Sequence, residues 1–295
     1  MLTGKPDHHI SQRALELPRA LGAFFIPLFL YLIFMPRPYL LLLSLSFLPL
    51  SSCSQFGQIS ANSNDPVTFA SPQLPPAESS PNIFKKYSAT EDAVMAKGWA
   101  RNFDMSGVSF DDRKTATLVT KRHVVMANHY KRSVGSLIIF HDRYGKKITR
   151  TLIKTRRVPS SDVAVGLLSE DLPSGYKTYA LPTPLEDYTH LKGTTAAVTD
   201  QNRRIFFHKV GGVYRNRISF QHHKPNLHGW AKNLIKGDSG NPSFIISGGE
   251  LVLIETHTFG GSGSGPFYGA LSIQSDLQRI ISEWSPGYRI RTKDL

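Results

Sequence analysis

Cysteine is almost absent from this chain of 295 residues, which has a single one, at position 53. One thiol cannot form an internal disulfide or a zinc site built from several cysteines. The hydrophobic core must therefore hold any folded domain together without a covalent cross-link. Hydrophobic residues make up 40% of the sequence and charged residues 19%. This balance is ordinary for a globular protein and excludes collagen-like, coiled-coil and wholly disordered chains.

Acidic residues are also few, since 22 Asp and Glu face 35 Lys and Arg, which gives a net charge of +13. The cations are spread along the chain in pairs such as Lys121-Arg122 and Arg203-Arg204, and they do not form one basic run. No zinc-finger, helix-turn-helix or RNA-binding motif accompanies them, so we expect no nucleic-acid partner. Most pairs are expected to lie on solvated faces, and the excess charge favours attraction to acidic substrates or anionic envelope surfaces.

A long apolar stretch, residues 20–50, precedes the only cysteine. Leu50-Ser51-Ser52-Cys53 resembles a bacterial lipobox, which implies that residues 1–52 are a signal peptide and that Cys53 carries lipid. The implied location is the bacterial cell envelope, with the lipid-anchored protein facing the periplasm or the exterior. A transmembrane helix with an incidental cysteine is the alternative. Met35 begins a shorter signal sequence of its own, so translation that starts at Met35 is a further hypothesis.

Residues 53–88 are poor in large apolar side chains and rich in proline, serine and asparagine. This composition is typical of a flexible tether, which here would hold a domain away from the membrane. Residues 89–295 are then the folded unit, and their number suits one globular domain.

Short β-type runs separated by turn residues recur through the folded unit. Helical spacing occurs near the C-terminus, where apolar residues between Ser275 and Trp284 fall on one helix face. Many short strands followed by a terminal helix predict an all-β fold. The predicted strands are Thr115–Thr120, His123–Ala127, Ser136–His141, Val163–Leu168, Thr195–Val198, Ile205–Val210, Ser243–Ile246, Leu251–Glu255 and Phe267–Ser272.

Three motifs at the ends of predicted strands contain a serine, a histidine and an aspartate, the residue types that nucleophilic catalysis uses. The GDSG segment places Ser239 in a tight turn between small residues. Backbone N–H groups of Gly237 and Ser239 in such a turn are able to form an oxyanion hole. His129 follows an apolar strand, and Asp162 stands at the start of another. A carboxylate at that position can hold the tautomer of a histidine and stabilise its protonated form.

The chain order His…Asp…Ser, with GDSG around the serine, resembles the chymotrypsin-like (trypsin-like) serine peptidases over residues 89–295. ATLVTKRHVVMANH, SSDVAVGLL and GDSGNP are similar to the histidine, aspartate and serine motifs of that family. The resemblance implies two packed antiparallel six-stranded β-barrels with a C-terminal helix and an active site in the cleft between them. It also implies that His129 is the general base, that Asp162 orients it and that Ser239 is the nucleophile, without a metal or cofactor.

The expected function is that of a serine endopeptidase, which hydrolyses peptide bonds of a protein or peptide substrate through an acyl-enzyme. A catalytically inactive module that binds peptides on the same fold is the alternative from another class. An esterase is a third hypothesis, although the G-x-S-x-G segment and the Ser…Asp…His order of the α/β-hydrolases are both absent. The oligomeric state stays open.

The motifs depart from the family pattern at two informative positions. Asn241 replaces a glycine after the serine, and we expect it to change the local shape and leave the chemistry intact. In family members that are activated by cleavage, the aspartate at the position of Asp238 pairs with the new N-terminus. The N-terminus here is expected to be acylated. We therefore expect either a cleavage near residues 89–99 or another partner for Asp238, such as a lysine, an arginine or a backbone donor.

Other side chains of the same types compete for the three roles. His123 lies at the start of its strand rather than at the end, and Ser243 is the nucleophile only if the GDSG turn is a coincidence. Asp142 follows an apolar strand and is the more serious rival acid. Asp111 and Asp112 precede the histidine in a polar turn, where we expect them to be solvated.

The segments after the serine motif resemble the pocket walls of bacterial glutamyl endopeptidases. Thr256, His257 and Thr258 are the candidate pocket residues, because some of those enzymes bind a substrate carboxylate through a histidine and hydroxyl groups. Glu255 would repel acidic substrates if it pointed inward. The histidines between Gln221 and His228 lack a nearby strong acid and are expected to form a polar loop, so no metal site is predicted.

Overall fold

A computed structural model of the chain describes residues 80–111, 113–159, 161–222 and 231–295. The predicted signal peptide, the alternative start at Met35, Cys53 and most of the predicted tether lie outside these residues. None of the described residues belongs to a helix that is both long and apolar enough to cross a membrane.

The N-terminal half of the fold is a small hairpin followed by a six-stranded antiparallel sheet. The hairpin pairs β1 (Phe84–Lys86) with β2 (Val94–Met95). The strands of the sheet are β3 (Val108–Ser109), β4 (Ala116–Leu118), β5 (His123–Ala127), β6 (Leu137–His141), β7 (Lys147–Arg157) and β8 (Val163–Leu168). Their order is β3-β4-β5-β8-β7-β6. β5 and β8 are buried at every position, because they lie in the middle of the sheet and are covered on both faces.

The C-terminal half contains a second six-stranded antiparallel sheet and an α-helix. Its elements are β9 (Leu181–Pro182), β10 (Thr195–Thr199), β11 (Ile205–Tyr214), β12 (Arg217–Gln221), β13 (Pro242–Ser247), β14 (Glu250–Thr256), β15 (Ser264–Pro266), α1 (Leu271–Trp284) and β16 (Thr292–Lys293). The order in the sheet is β14-β13-β10-β11-β12-β15, while β9 and β16 form a separate parallel pair. Two barrel-like sheets and a terminal helix confirm the predicted all-β, trypsin-like architecture.

The largest cluster of buried hydrophobic residues joins the two sheets to each other and to the helix. Val163 of β8, Phe244 of β13 and Leu277 of α1 all belong to it. Burial of a side chain of this size contributes about 1.5–3 kcal/mol. A shared core therefore fixes the two sheets without any disulfide, and the cleft between them has a defined shape.

The predicted strand Phe267–Ser272 is wrong, because β15 ends at Pro266 and the helix begins at Leu271. Gln274 explains the early start of the helix. Its side-chain amide donates to Tyr268 O at 2.6 Å and to Pro182 O at 2.5 Å, which fixes the first turn of the helix against β9 and the segment after β15. The helix is thus one turn longer than the apolar spacing predicted.

The folded unit includes residues before position 89. Ile205 N–H donates to Pro81 O at 3.0 Å, and Ile83 N–H donates to Arg203 O at 3.0 Å. The side chain of Ile83 lies in the shared core with 1% of its surface exposed. The last residues of the segment that composition assigns to the tether are therefore bound to the domain, largely through backbone hydrogen bonds.

Glu250, at the start of β14, holds the C-terminal segment against the second sheet. Arg291 donates to both carboxylate oxygens, with Nη1 2.9 Å from Oε2, and Lys177 Nζ lies 3.0 Å from Oε1. The hydrogen bonds from Arg291 lower the pKa of Glu250 to about 2, Lys177 contributes further, and burial opposes both. Arg291 directly precedes β16, so this contact keeps β16 in register with β9.

We expect Glu250→Gln to lower the free energy of unfolding at neutral pH by about 1 kcal/mol, since an ion pair that is partly solvated is worth less than a buried one. The pKa of Glu250 lies below its ordinary value of 4.5. The stabilisation is therefore complete above that value and is lost as the pH falls toward about 2. Urea denaturation at several pH values measures the effect.

The exposed, unpaired Glu186 provides the control, and Glu186→Gln should leave stability unchanged. A stability difference between wild type and Glu250→Gln that stayed constant from neutral pH to about pH 3 would contradict the role given to Glu250.

Candidate active site

The pairing of β5 with β8 brings His129 and Asp162 together. Ala127, the last residue of β5, lies opposite Val163, the first residue of β8. The residues that follow β5 therefore lie beside those that precede β8, although His129 and Asp162 are 33 positions apart. Asn128 N–H donates to Asp162 O at 2.8 Å and continues the ladder by one further hydrogen bond.

Ser239 lies in the turn that leads into β13, between two glycines with positive φ. Gly237 has φ +101° and Gly240 has φ +86°, a region that residues with a Cβ rarely adopt. A Cβ on Gly237 would also lie 2.5 Å from the side-chain Oε1 of Gln201. Gly240 N–H donates to His257 O at 2.9 Å, which attaches the turn to the segment after β14.

His129, Asp162 and Ser239, called the triad below, form a continuous hydrogen-bonded chain. His129 Nε2 lies 2.9 Å from Ser239 Oγ, and His129 Nδ1 lies 2.5 Å from Asp162 Oδ2. The other carboxylate oxygen, Oδ1, accepts the backbone N–H of His129 at 3.0 Å. The His129 side chain is 45% exposed, so substrate can reach it. A proton on Nδ1 leaves Nε2 free to accept a proton from the serine hydroxyl.

Thr258, which the sequence predicted as a substrate-pocket residue, also contacts Asp162. Its hydroxyl donates to Asp162 Oδ2 at 3.3 Å. Thr258 comes shortly after β14 in the second sheet, whereas Asp162 belongs to the first sheet. The structure thus places Thr258 against the triad. Chain spacing contained no signal for this contact, because it depends on how the two sheets pack.

Thr256 and His257, the other two residues predicted to line a substrate pocket, are buried. Thr256 Oγ1 lies 3.1 Å from the hydroxyl of Tyr268. His257 is 1% exposed, with Nε2 3.2 Å from Thr199 O and Nδ1 2.5 Å from Glu255 Oε1. Glu255 points inward and is fully buried. Because Thr256 and His257 are buried, a substrate carboxylate does not reach them in this arrangement.

Two backbone donors beside the serine are free of protein acceptors. Within the part of the chain that the structure describes, the N–H groups of Gly237 and Ser239 donate to no protein atom. Asn241, which replaces a glycine of the family pattern, braces this turn. Its Nδ2 donates to Asp238 O at 3.0 Å, and its Oδ1 accepts the hydroxyl of Thr115 at 2.9 Å. Because Thr115 belongs to the N-terminal half, Asn241 connects the serine turn to that half.

Asp238 is satisfied by donors within the domain. Its carboxylate accepts the N–H of Ile235 at 2.8 Å and the N–H of Gln201 at 3.0 Å, and it lies 3.1 Å from Lys232 Nζ. Burial raises the pKa of Asp238, but the two N–H groups and the Lys232 ammonium outweigh burial and hold the pKa below its ordinary value. Both a lysine and backbone donors, two of the partners expected for Asp238, are therefore present.

The Lys232 ammonium bridges two buried carboxylates. Its Nζ lies 2.7 Å from Asp200 Oδ2, and Asp200 also receives two hydrogen bonds from the guanidinium of Arg204, with Nη2 2.7 Å and Nε 3.0 Å from Oδ2. Asp200 is fully buried and Asp238 is 1% exposed. Since a buried carboxylate is stable only when it is paired, this cluster holds the residue directly before Ser239 in one position.

The other residues considered for the catalytic roles make structural contacts away from the triad. His123 is buried with Nδ1 2.8 Å from Thr120 Oγ1, and burial together with nearby Arg122 lowers its pKa to about 4. Asp142 accepts backbone N–H groups in the hairpin turn that follows β6. The Ser243 hydroxyl donates to Glu255 at 2.7 Å.

The prediction that the Asp111 side chain is solvated is wrong. This side chain is only 4% exposed and forms an ion pair of 3.1 Å with Arg132. Asp112 lies outside the described residues.

No protein-family model matches the chain, and no curated protein has significant sequence similarity to it. The described residues contain no group of three or more His, Cys, Asp or Glu side chains arranged to hold a metal ion. The predicted polar loop of histidines lies outside them, apart from Gln221 and His222 at its start. The candidate site is therefore defined by its own geometry.

We expect Lys232→Met to reduce the free energy of unfolding by about 3 kcal/mol, because it removes the cation shared by two buried carboxylates. Lys232→Arg, which keeps the charge, should recover part of this loss. Urea denaturation at neutral pH measures both variants. Lys236→Met removes an exposed lysine nearby and serves as the control, with little expected effect. Equal stability of Lys232→Met and Lys236→Met would contradict the bridging role.

Proposed function

We propose that this protein is a serine endopeptidase. The observation that carries the proposal is the chain of hydrogen bonds from Ser239 Oγ through both ring nitrogens of His129 to Asp162, with separations of 2.9 and 2.5 Å. These are distances at which a histidine can remove a proton from a serine hydroxyl while a carboxylate stabilises the imidazolium.

The proposed reaction follows from these positions. His129 Nε2 accepts the proton of Ser239 as the serine oxygen attacks the carbonyl carbon of a peptide bond. The N–H groups of Gly237 and Ser239 stabilise the negative charge that develops on the carbonyl oxygen. The imidazolium then gives its proton to the leaving amine, and the acyl-enzyme remains. A water molecule, deprotonated by His129, hydrolyses the ester and releases the free serine.

The internal partners of Asp238 support activity without a preceding cleavage. In the proposed enzyme, Lys232 and two backbone N–H groups fill the position that a new N-terminus would otherwise occupy. We therefore infer that cleavage near residues 89–99 is not required. The accessible triad favours an enzyme over an inactive peptide-binding module, which would have no need of a serine hydroxyl bonded to a histidine.

We expect a fluorophosphonate probe to label the purified full-length protein and to lose at least about 10³-fold in labelling rate in Ser239→Ala and His129→Ala. Asp162→Asn should label slowly, since the amide no longer stabilises the imidazolium. Ser219→Ala is the matched control, because it removes an exposed hydroxyl of β12 away from the triad and should label like wild type.

Circular dichroism establishes that each variant is folded before labelling is compared. A folded wild-type protein that did not react with the probe would contradict the proposed enzyme and would favour the peptide-binding module. Labelling that persisted in Ser239→Ala would assign the nucleophile to another residue.

We also propose that the protein is held at the bacterial cell envelope by lipid on Cys53. The support is the LSSC segment after an apolar stretch, together with the absence of any other cysteine in the chain. Two acyl chains give stable membrane attachment, whereas a single chain binds reversibly.

We expect an alkyne-labelled fatty acid to be incorporated into the protein in a bacterial host and to be absent from Cys53→Ser. Ser54→Ala, which alters the next residue, should keep the label. The Cys53→Ser variant should also run at a higher apparent mass, because signal peptide removal depends on lipidation. Incorporation of the fatty acid into Cys53→Ser would show that the anchor is elsewhere.

A further inference from the structure

A pocket of about 670 Å³ opens directly beside His129. Both sheets contribute to its wall. Asp162 and Ser161 come from the segment before β8, while Thr258 and Phe259 come from the segment after β14. The pocket therefore lies in the cleft between the two halves and adjoins the reacting atoms of the proposed enzyme.

Two arginines line this pocket without a carboxylate partner. Arg157, the last residue of β7, is exposed and donates from Nε to Ser161 O at 3.1 Å. Arg217, the first residue of β12, is also exposed, and its Nη2 lies at the longer distance of 3.4 Å from Ser264 Oγ. Neither guanidinium forms an ion pair with any residue that the structure describes.

The acid in the pocket wall does not neutralise these arginines. Asp162 uses its oxygens for the ring and backbone of His129 and for the hydroxyl of Thr258. The neighbouring Arg156, by contrast, is paired with Glu283. The pocket therefore presents excess positive charge next to the triad.

Phe259 gives the pocket an apolar surface and fixes one of the cations. Its side chain is 53% exposed, and the Arg217 guanidinium lies 4.5 Å from the centre of its ring. Stacking of this kind restricts the guanidinium and leaves its edge free to donate hydrogen bonds. A carboxylate entering the pocket would meet a positioned bidentate donor instead of a fully flexible side chain.

We propose that this pocket binds an acidic side chain of the substrate, on a residue that flanks the scissile bond, through Arg217 and Arg157. The inference rests on the proposed peptidase function and adds the class of substrate, namely peptides with Asp or Glu near the cleaved bond. It differs from the role predicted for Thr256 and His257, which are buried, whereas Thr258 lines this pocket and also donates to Asp162.

Fluorogenic peptides that carry one glutamate at each successive position around the scissile bond test the proposal. We expect the wild-type protein to cleave best when glutamate occupies one or two neighbouring positions on one side of the bond. Glutamine at that position should lower kcat/KM about tenfold, mainly through KM, and added salt should reduce the preference.

Single replacements of the arginines localise the effect. Arg217→Gln and Arg157→Gln should each lose most of the preference for glutamate over glutamine. Arg217→Glu should reverse the preference, so that lysine at the same position is favoured. Arg215→Gln is the matched control, because Arg215 is an exposed cation of the same hairpin that stacks on Tyr214 outside the pocket. It should keep the wild-type preference.

The two proposals fail in distinguishable ways. If the protein reacts with fluorophosphonate but cleaves peptides equally well with and without glutamate at every position, the proposed binding of an acidic side chain is overturned and the peptidase proposal stands. A preference for glutamate that survives in both Arg217→Gln and Arg157→Gln would also overturn the proposed binding by these arginines and leave the peptidase proposal standing. Absence of both labelling and cleavage in a folded protein would overturn the peptidase proposal and, with it, the proposed binding of an acidic substrate side chain.

Discussion

The carboxylate of Asp162 is the contact on which the geometry of the candidate site depends. It receives the ring and the backbone N–H of His129 from one side and the hydroxyl of Thr258 from the other. His129 follows β5 and Asp162 precedes β8 of the first sheet, whereas Thr258 follows β14 of the second. This partly exposed carboxylate thus links the two halves of the fold beside His129 and Ser239. Because no disulfide limits movement of the halves, this polar contact and the shared hydrophobic core must together fix their relative position.

A second group of charged residues, centred on Lys232, Asp200 and Asp238, fixes the turn that contains Ser239. Asp162 orients the histidine, while Asp238 orients the backbone from which the serine projects. The Lys232 ammonium compensates both Asp238 and Asp200, and Arg204 compensates Asp200 as well. A carboxylate this deeply buried is costly unless every oxygen has a donor. The turn therefore has one favourable conformation, which contacts outside the turn hold in place.

The sequence contained enough information to predict the fold class and to single out His129, Asp162 and Ser239, which the fold brings together. β5 and β8 are apolar runs with polar residues at their ends, so a histidine after one and an aspartate before the other stood out from the pattern. Antiparallel pairing of these two strands then accounts for the contact between His129 and Asp162.

Features that depend on the packing of distant segments could not be predicted in this way. Lys232 lies in a segment without a strand pattern, and its role follows only from the position of Asp200 in space. β7 carries cations along most of its length and buries only Leu152, so its hydrophobic pattern is weak, and pairing with β6 and β8 forms the strand. Of the residues predicted to line a substrate pocket, Thr258 lines a pocket and also donates to Asp162, whereas His257 is buried beside Glu255.

The positive charge of this protein is distributed unevenly between its interior, its open surface and the pocket beside His129. Its buried cations and anions are matched locally, as Lys232 is with Asp200 and Asp238, and such pairs create little field outside the domain. The excess positive charge must then lie at the surface, where salt screens most of it within about 10 Å. A concave surface with low-dielectric walls is an exception, because the field there is focused and the ligand is partly desolvated. Arg157 and Arg217 occupy such a surface beside His129. In the proposed peptidase, two guanidinium groups fixed in this pocket would therefore recognise an acidic side chain more strongly than cations spread over an open surface would.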